Sequence, residues 1–300
     1  MKKYDVVILT SKSYLTIKEG DNYIQNVIDE DNYVLQSLEK QGLKVIRLSW
    51  DDTSFDWSST KFILFRTTWD YSERFSEFSK WLEKVSQQAI LLNSEAIIRW
   101  NLDKHYLLDL QKNGVHICES YFIEKGASKT LEELSTQYNL QEFVVKPCIS
   151  AGSRHTYKIN SENIAAHEAI FSELISQEAM IMQPFQYNIV EKGEVSYMVM
   201  NGKFTHAVLK KAKSGDFRVQ DDFGGSVHEY TPTQQEITFA EKVVQACFES
   251  PIYARVDAFI DNNNQLALAE LELVEPELWF RNYPKAADEL AIGIKELTQI

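Results

Sequence analysis

Short β-branched runs alternate with helically spaced apolar residues along the first 93 residues. The predicted elements, in chain order, are strands at 4–10, 43–50, 61–66 and 89–92 and helices at 30–41 and 73–86. Strands that alternate with helices indicate a parallel, doubly wound sheet. Ligands of such sheets bind beyond the carboxyl ends of the strands, which points to the loop at 66–71.

The pattern changes after residue 93. Strands at 120–123 and 142–146 and helices at 103–113 and 161–176 predict a smaller α+β unit. The last third is dominated by strands, which are predicted at 181–185, 195–200, 203–210, 252–260 and 266–274, with one helix at 233–248. We therefore expect an N-terminal α/β domain at 1–93, a central subdomain at 94–183 and a C-terminal subdomain at 184–300.

Composition and charge narrow the class of protein. The 300 residues are 44% hydrophobic and 25% charged, which is typical of a globular protein. A net charge of −13 argues against nucleic acid as a partner, because phosphate binding needs a basic surface. The sequence has neither an apolar run of membrane-spanning length nor a signal peptide at its start, so we expect a cytoplasmic protein without a membrane partner. The three cysteines are widely spaced and indicate neither a disulfide framework nor a structural zinc site.

The strongest local signal is a hairpin that carries carboxylates. The segments ARVDAFI and LALAELELVEP are two strands joined by an Asn-rich turn, and one face carries Arg255, Asp257, Glu270 and Glu272. A four-residue loop at 262–265 places Asp257 opposite Glu270, whereas an odd loop separates them. The other, apolar face is expected to contain Val256, Ala258 and Ile260 on the first strand and Ala267, Ala269, Leu271 and Leu273 on the second. Clustered oxygen ligands suit Mg²⁺ or Mn²⁺ that carries nucleotide phosphates, and the alternative is a solvated strand face.

Two further segments are suited to nucleotide binding. Lys146 ends the apolar strand EFVVKP and precedes a loop with Ser150, Gly152 and Ser153, whose small side chains let backbone N–H groups approach phosphate. Lys104 lies at the start of a predicted helix. The alternative interpretation is an ordinary surface turn for Lys146 and a capped helix start for Lys104. The segment MIMQPF then leads an apolar strand into a linker that can offer backbone groups to adenine, with carboxylates nearby for ribose.

The order of these parts resembles the ATP-grasp superfamily, and within it the glutathione-synthetase-like branch. The matching parts are Asn101-x-Asp103-Lys104, VVKP with its Gly/Ser loop, QPF, GE, GDFR, VD and E-x-E, across about residues 93–276. The segments NGKFTHAVLKKAKSGDFRVQDDFGG and YARVD are similar to the corresponding segments of ligases that close the cycloserine ring. The resemblance implies an ATP-grasp fold, α/β and α+β, preceded by a doubly wound Rossmann-like domain.

The resemblance also implies roles for individual residues. Those matched to nucleotide binding are Lys104, Lys146, Ser150, Gly152, Ser153, Gln183, Pro184, Phe185, Glu191, Glu194 and Lys210, with Gln183 and Phe185 binding adenine through their backbone and Glu191 or Glu194 binding ribose. Arg218 is matched to the residue that binds the acyl-phosphate oxygens, and Arg255 is predicted to be catalytic as well. Asp257, Glu270 and Glu272 are matched to the metal ligands. Glu272 stands where the family usually has Asn, and Arg255 can neutralise the added charge.

The binding site for the substrate is predicted from two observations: ligands of parallel sheets bind beyond the strand ends, and the sequence contains few arginines. Arginine favours planar, bidentate recognition of carboxylates, and a substrate site is predicted at Arg66, Thr67, Asp70, Tyr71 and Arg154. Trp279, Phe280 and Tyr283 are expected to pack against the C-terminal helix rather than on a ligand.

These observations predict an ATP- and Mg²⁺-dependent ligase that joins a small-molecule carboxylate to an amine through an acyl phosphate. Two other functions remain open: a nucleotide-binding module without turnover, and a phosphotransferase acting on a small molecule. The sequence does not indicate a Ser/His/Asp or Cys/His set of nucleophilic residues. A homodimer is expected only because it is common in the family.

Overall fold

The computed structural model describes residues 2–16, 21–150, 152–213 and 224–299. The N-terminal elements are β1 (Tyr4–Thr10), α1 (Asn22–Lys40), β2 (Val45–Ser49), β3 (Thr60–Thr67), α2 (Phe75–Ser86) and β4 (Ile90–Leu92). The four strands form a parallel sheet in the order β2-β1-β3-β4, which confirms the predicted sheet. Helix α1 begins eight residues earlier than predicted, because the Asp21 side chain accepts a hydrogen bond from the N–H of Ile24 and caps the helix there.

Both faces of this sheet are covered, as a doubly wound arrangement requires. Val6 and Ile8 pack on the side of α1, while the alternate residues Val7 and Leu9 pack on the side of α2. The parallel strands therefore consist of continuous apolar runs rather than an alternating pattern.

The central region is a four-stranded antiparallel sheet with short helices. Its elements are α3 (Glu95–Asn101), α4 (Tyr106–Lys112), β5 (Tyr121–Ile123), α5 (Leu131–Gln137), β6 (Glu142–Pro147), β7 (Tyr157–Asn160), α6 (Ile164–Gln177) and β8 (Met180–Pro184), with strand order β5-β8-β6-β7. The sequence pattern missed α3, α5 and β7. Each spans seven residues or fewer, too short for periodicity to identify, although the Thr130–Glu133 capping box marks the start of α5.

The C-terminal region is a five-stranded antiparallel sheet in the order β11-β10-β9-β12-β13. Its elements are α7 (Tyr187–Lys192), β9 (Glu194–Met200), β10 (Lys203–Lys211), β11 (Ser226–Tyr230), α8 (Gln234–Gln245), β12 (Tyr253–Ile260), β13 (Leu266–Glu272) and α9 (Lys285–Leu297). Helix α9 returns to the N-terminal sheet, where Leu290 and Ile294 share a core with Val34 and Leu38 of α1. None of the described helices combines the length and apolarity needed to cross a bilayer.

The carboxylate hairpin pairs Asp257 with Glu270, as predicted, but by a different route. Ile260 pairs with Leu266, so the loop at 261–265 has five residues rather than four. A β-bulge at Ala269 then supplies the extra residue that restores the predicted pairing.

The bulge also changes which side chains reach the core. Leu268, not Ala267 or Ala269, joins Leu271 in the main core, whereas Ala267 packs beside Phe259 and Ala269 lines a cavity. The predicted apolar face of β13 is therefore wrong at these two alanines, because a bulge inverts the in-and-out alternation on one side of it.

Candidate active site

A cavity of about 610 Å³ lies between the three sheets. It is lined by residues from the N-terminal loop, from the ends of β6 and β8, and from β10, β12 and β13. The predicted site residues that line it are Tyr71, Lys104, Lys146, Ser150, Gly152, Ser153, Arg154, Gln183, Pro184, Phe185, Glu194, Lys210, Arg255, Glu270 and Glu272. Arg218 lies outside the described residues.

Two lysines face each other across the end of β6. The Lys104 Nζ lies 2.9 Å from Glu270 Oε1 and 3.1 Å from the carbonyl oxygen of Ser150. Lys146, by contrast, has no hydrogen-bond or ion-pair partner for its ammonium group within the described ranges. Burial, together with the charge of Lys104, lowers the pKa of Lys146. Lys146 is therefore the cation that is available to a bound anion.

Asp257 stands at the centre of a buried charge network. Its carboxylate accepts hydrogen bonds from Ser196 Oγ at 2.6 Å, Arg255 Nη2 at 2.9 Å and Lys210 Nζ at 3.1 Å. Lys210 also lies 2.6 Å from Glu194. Burial alone would raise the pKa of Asp257, but the charges of Arg255 and Lys210 lower it to about 2. Asp257 is therefore ionised and holds two cations in place.

Glu270 and Glu272 are the accessible carboxylates of the predicted metal set. Their side chains are 33% and 27% exposed, whereas that of Asp257 is 4% exposed and does not line the cavity. Glu272 makes a close ion pair with Arg255. Burial, and the charges of Asp257 and Glu270, raise the pKa of Glu272 to about 7 although Arg255 opposes this. A further positive charge in the cavity would stabilise the ionised form of Glu272.

A second group of possible metal-ligand atoms lies beside Lys104, at Asp103, His105 and Cys148. Both ring nitrogens of His105 are already engaged, by Asp103 at 2.6 Å and by Glu124 at 3.1 Å. Burial raises the pKa of the Cys148 thiol to about 12. The group therefore consists of the His105 imidazole, which two carboxylates hold, and the unreactive Cys148 thiol.

The small-residue loop after β6 is anchored by Arg154. Gly152 and Ser153 adopt positive φ angles of 59° and 58°. The Arg154 guanidinium donates to Glu178 at 2.6 and 2.9 Å and to the carbonyl of Ile149 at 2.8 Å. Because this fork is already occupied within the chain, the predicted contact between Arg154 and substrate is not supported, although Arg154 borders the cavity.

The linker after β8 differs from its prediction in two ways. The N–H of Phe185 donates to the backbone carbonyl of Glu142 and its carbonyl accepts from the Asn262 side-chain amide, so its backbone is already bonded within the chain. Its ring carries Lys158, whose Nζ lies 3.5 Å from the ring centre. Glu191 is exposed on α7 and does not line the cavity, whereas Glu194 does. Of the two predicted ribose ligands, only Glu194 is in position.

The N-terminal loop reaches the cavity, but not through Arg66. Arg66 is fully buried, donates to the carbonyl of Pro276 at 3.0 Å and lies over the ring of Phe280. Thr67 is buried against Thr10, and Asp70 accepts from Trp50 and Arg74. These three predicted substrate residues are not among those that line the cavity, because Arg66 packs against the segment at 276–280 and Thr67 and Asp70 are held within the N-terminal domain.

Trp69, Glu275 and Trp279 are among the residues of the cavity wall that were not predicted to face a ligand. Trp69 borders the cavity, and its Nε1–H donates to the carbonyl of Glu275 at 2.8 Å. Glu275 is only 9% exposed and lines the cavity beside Tyr71. Trp279 was expected only to pack, yet it lines the cavity with the Arg255 guanidinium 5.2 Å from its ring centre. The sequence signal for such a buried carboxyl is the position of Glu275 directly after the apolar residues Leu273 and Val274.

Comparisons with known proteins agree with this arrangement. A family model described as the RimK-like ATP-grasp domain matches residues 104–277, and one described as the N-terminal domain of D-cycloserine synthetase DcsG matches residues 6–93. The cycloserine biosynthesis protein DcsG of Streptomyces lavendulae is 27% identical over 262 residues, which are 82% of this chain and 86% of DcsG.

Solved structures show the same fold. The crystal structure of D-cycloserine synthetase DcsG has a TM-score of 0.84 at 23% identity and covers 97% of this chain and 99% of its own. D-alanyl-alanine synthetase A from Vibrio cholerae O1 biovar eltor has a TM-score of 0.67 at 15% identity, over 99% of both chains. The ATP-grasp ligase PsnB, complexed with its minimal precursor, has a TM-score of 0.66 at 11% identity, over 99% of both chains.

The predicted resemblance and fold class are thereby confirmed. The RimK-like model alone spans more than half of the chain. The chain therefore belongs to the RimK-like ATP-grasp family and is homologous to ligases that form C–N bonds.

Proposed function

We propose that this chain uses ATP to activate the carboxylate of a small, amino-acid-like molecule as an acyl phosphate, which an amine then attacks. The observation that carries the proposal is the placement of an unpaired lysine, Lys146, in the same cavity as the accessible carboxylates Glu270 and Glu272. Phosphoryl transfer depends on positioning and on charge neutralisation, which this combination of groups supplies.

The nucleotide is assigned to the side of the cavity formed by β6, β8 and β10. Lys146 and Lys104 would bind the phosphates, and the loop with Gly152 and Ser153, which lines the cavity beside them, would offer its backbone N–H groups. The ring of Phe185 and the carboxylate of Glu194 border the same side, where they are suited to adenine and ribose. Lys210 is held by Glu194 and Asp257 and adds positive charge there.

Mg²⁺ or Mn²⁺ fits the carboxylates that the cavity exposes. Glu270 and Glu272 would hold the ion, while Asp257 is closed off by Arg255, Lys210 and Ser196 and positions these cations instead. Hard oxygen donors and open space for phosphate oxygens are what Mg²⁺ requires. When bound, the ion neutralises charge on the transferring phosphoryl group.

The reaction conserves atoms and charge in two steps. A carboxylate oxygen of the substrate attacks the γ-phosphorus of ATP, and ADP leaves. The amine nitrogen then attacks the acyl carbon and loses a proton, and phosphate leaves. Arg255 lines the cavity and is held by Asp257 and Glu272, so its guanidinium is positioned to stabilise developing negative charge.

Release of ADP with a chemical trap tests this proposal. The purified protein is incubated with ATP, Mg²⁺ and pools of small amino acids, with and without hydroxylamine. We expect at least one pool to stimulate ADP release and to give a hydroxamate, which forms from an acyl phosphate but not from a phosphate ester. ADP release with a stable phosphorylated product would instead indicate a phosphotransferase, and no stimulation by any pool would contradict the proposal.

A further inference from the structure

We infer that Glu275, with Trp69 and Tyr71, forms a subsite for the free ammonium group of the substrate. This inference rests on the proposed ligation and names a substrate class for it: a small molecule that carries both a carboxylate and an unblocked amine. The subsite lies where the N-terminal domain borders the cavity, at Trp69 and Tyr71.

Glu275 is a buried carboxyl without a counter-charge. It is nine-tenths buried and lines the cavity, yet no lysine, arginine or histidine nitrogen of the described chain lies within 4.0 Å of it. The neighbouring acids are different: Glu272 pairs with Arg255, and Glu277 pairs with Arg281. Buried carboxylates are normally paired, because an isolated ionised group in a low-dielectric site is strongly disfavoured. A positively charged ligand group would supply the missing partner.

The electrostatics of Glu275 agree with this geometry. Burial, followed by the charges of Glu272 and Glu270, raises the pKa of the Glu275 carboxyl to about 8, although interaction with the Tyr71 hydroxyl opposes this. Without a ligand the group is therefore often protonated near neutral pH. An ammonium ion nearby would favour the carboxylate, so binding relieves an unfavourable environment.

The walls of the subsite suit a cation as well. Trp69 and Tyr71 line the same cavity as Glu275, and the Trp69 indole donates to the backbone carbonyl of Glu275. Aromatic faces attract ammonium groups, and the attraction is stronger where water is excluded. The described cations nearby are already engaged: Arg66 with Pro276, and Arg74 with Asp51, Asp70 and Glu77.

The subsite is also held rigidly. The backbone carbonyls of Glu275 and Pro276 accept hydrogen bonds from Trp69 and Arg66, so two side chains of the N-terminal domain fix the segment that carries the carboxyl. Arg66 is therefore a positioning residue rather than a substrate ligand. A fixed carboxylate discriminates between a free amine and the blocked amine of a peptide-like substrate.

The test compares three forms of each candidate substrate: the free amino acid, its N-acetyl derivative and the corresponding hydroxy acid. ADP release is measured with ATP and Mg²⁺ for the wild-type protein, for Glu275→Gln, for Tyr71→Phe and for the control Glu73→Gln, whose carboxyl is exposed at the rim of the same cavity. We expect wild type to respond to a free amino acid and to discriminate against its two analogues by about tenfold or more in kcat/KM.

The variants separate binding from folding. Glu275→Gln should raise the amino-acid KM about tenfold or more, with a smaller change in kcat and an unchanged KM for ATP. Tyr71→Phe should give a smaller rise, and Glu73→Gln less than about twofold. Equal activity on the hydroxy or N-acetyl acids, or an unchanged amino-acid KM in Glu275→Gln, would overturn the ammonium subsite while leaving the ligase proposal intact. No ADP release with any compound would overturn both.

Discussion

Lys146 is the cation whose removal should have the clearest effect on nucleotide binding. Its ammonium group lines the cavity without a hydrogen-bond or ion-pair partner in the described chain, so no direct contact with a carboxylate has to be broken when phosphate binds. We expect Lys146→Ala to weaken ATP binding by about tenfold to a hundredfold, measured by calorimetry.

The choice of control for Lys146 depends on the structure. Lys158 lies in the next strand, but its Nζ is 3.5 Å from the ring centre of Phe185, where adenine is assigned. Lys112 is a better control, because its side chain is 75% exposed and its one ion pair within the described residues is with the exposed Asp109. An equal loss of ATP affinity in Lys146→Ala and Lys112→Ala would refute the phosphate role of Lys146.

Asp257 and Glu270 should respond differently to loss of charge. Asp257→Asn leaves Arg255 and Lys210 buried with less compensation, so we expect it to lower the unfolding free energy by about 2 to 4 kcal/mol and to abolish turnover. Glu270→Gln removes the ion-pair partner of the buried Lys104 but lies at a partly exposed site, so it should abolish turnover with a smaller destabilisation than Asp257→Asn. Denaturant titration and ADP release measure the two effects, and equal destabilisation by both variants would contradict this division of roles.

Glu275 should also make the stability of the ligand-free protein depend on pH. The pKa of the Glu275 carboxyl is about 8 in the folded protein and about 4.5 in the unfolded chain, so between these pH values the folded state holds a proton that the unfolded chain releases. This contribution to stability is complete below about pH 4.5 and is lost as the pH rises through about 8, with a slope of at most about 1.4 kcal/mol per pH unit.

The comparison with Glu275→Gln isolates this effect from other titrating groups. Denaturant unfolding at several pH values between about 5 and 9 should show that wild type loses more stability with rising pH than the variant does. Parallel curves for the two proteins would show that Glu275 does not titrate abnormally.

At the scale of elements, helix α9 is fitted closely to the β9–β10 turn. A Cβ atom on Gly293 would lie 1.9 Å from Asn201 Oδ1, and the Asn201 amide donates to the carbonyl of Glu289 in the same helix. Gly293→Ala should therefore destabilise the protein by about 1 to 3 kcal/mol, although alanine is the better helix former. Ile292→Ala, at an exposed neighbouring position, is the control, and a stabilised Gly293→Ala variant in thermal unfolding would contradict the close fit.

The bulge in β13 shows how one residue adapts an element to its site. Next to the five-residue turn, Ala258 pairs with Leu268. Without Ala269, this register would continue along the whole hairpin. The bulge advances β13 by one residue, so that Asp257 pairs with Glu270 and Arg255 with Glu272. The charges of the site are thus brought together by an irregularity of the strand rather than by the turn.

At the scale of the whole molecule, Arg66 joins the N-terminal domain to the segment that carries Glu275. Lysine cannot reproduce its hydrogen bond to Pro276 together with its stacking on Phe280. We expect Arg66→Lys to lower the unfolding free energy by about 2 to 4 kcal/mol and to raise the KM of the carboxylate substrate, with little change in ATP affinity.

The control for Arg66 must lie outside its network. Arg47 is unsuitable, because it lies 2.7 Å from the buried carboxylate of Asp31, and the Arg66 Nε lies 3.6 Å from the same carboxylate. Arg99 is exposed and pairs only with Glu95 one helical turn away, so Arg99→Lys should change neither quantity. A shift in ATP affinity alone in Arg66→Lys would contradict the proposed coupling.

Local pattern was sufficient for much of this protein. The apolar runs of β1 and β3 predicted a parallel sheet, and the two strands of the carboxylate hairpin predicted that Asp257 pairs with Glu270. These features follow from periodicity and from the order of parts along the chain, which the sequence contains directly.

The tertiary structure decided which of those side chains remain available. Arg66 and Asp257 are occupied by partners 210 and 47 residues away, Pro276 and Lys210, so neither faces the cavity, while Glu275 lines it without a counter-charge. Pairing over such distances depends on how sheets from different parts of the chain pack, and no local pattern encodes it. The sequence by itself therefore determined the elements and the kind of chemistry, and long-range packing determined which charges are neutralised and which are left for a ligand.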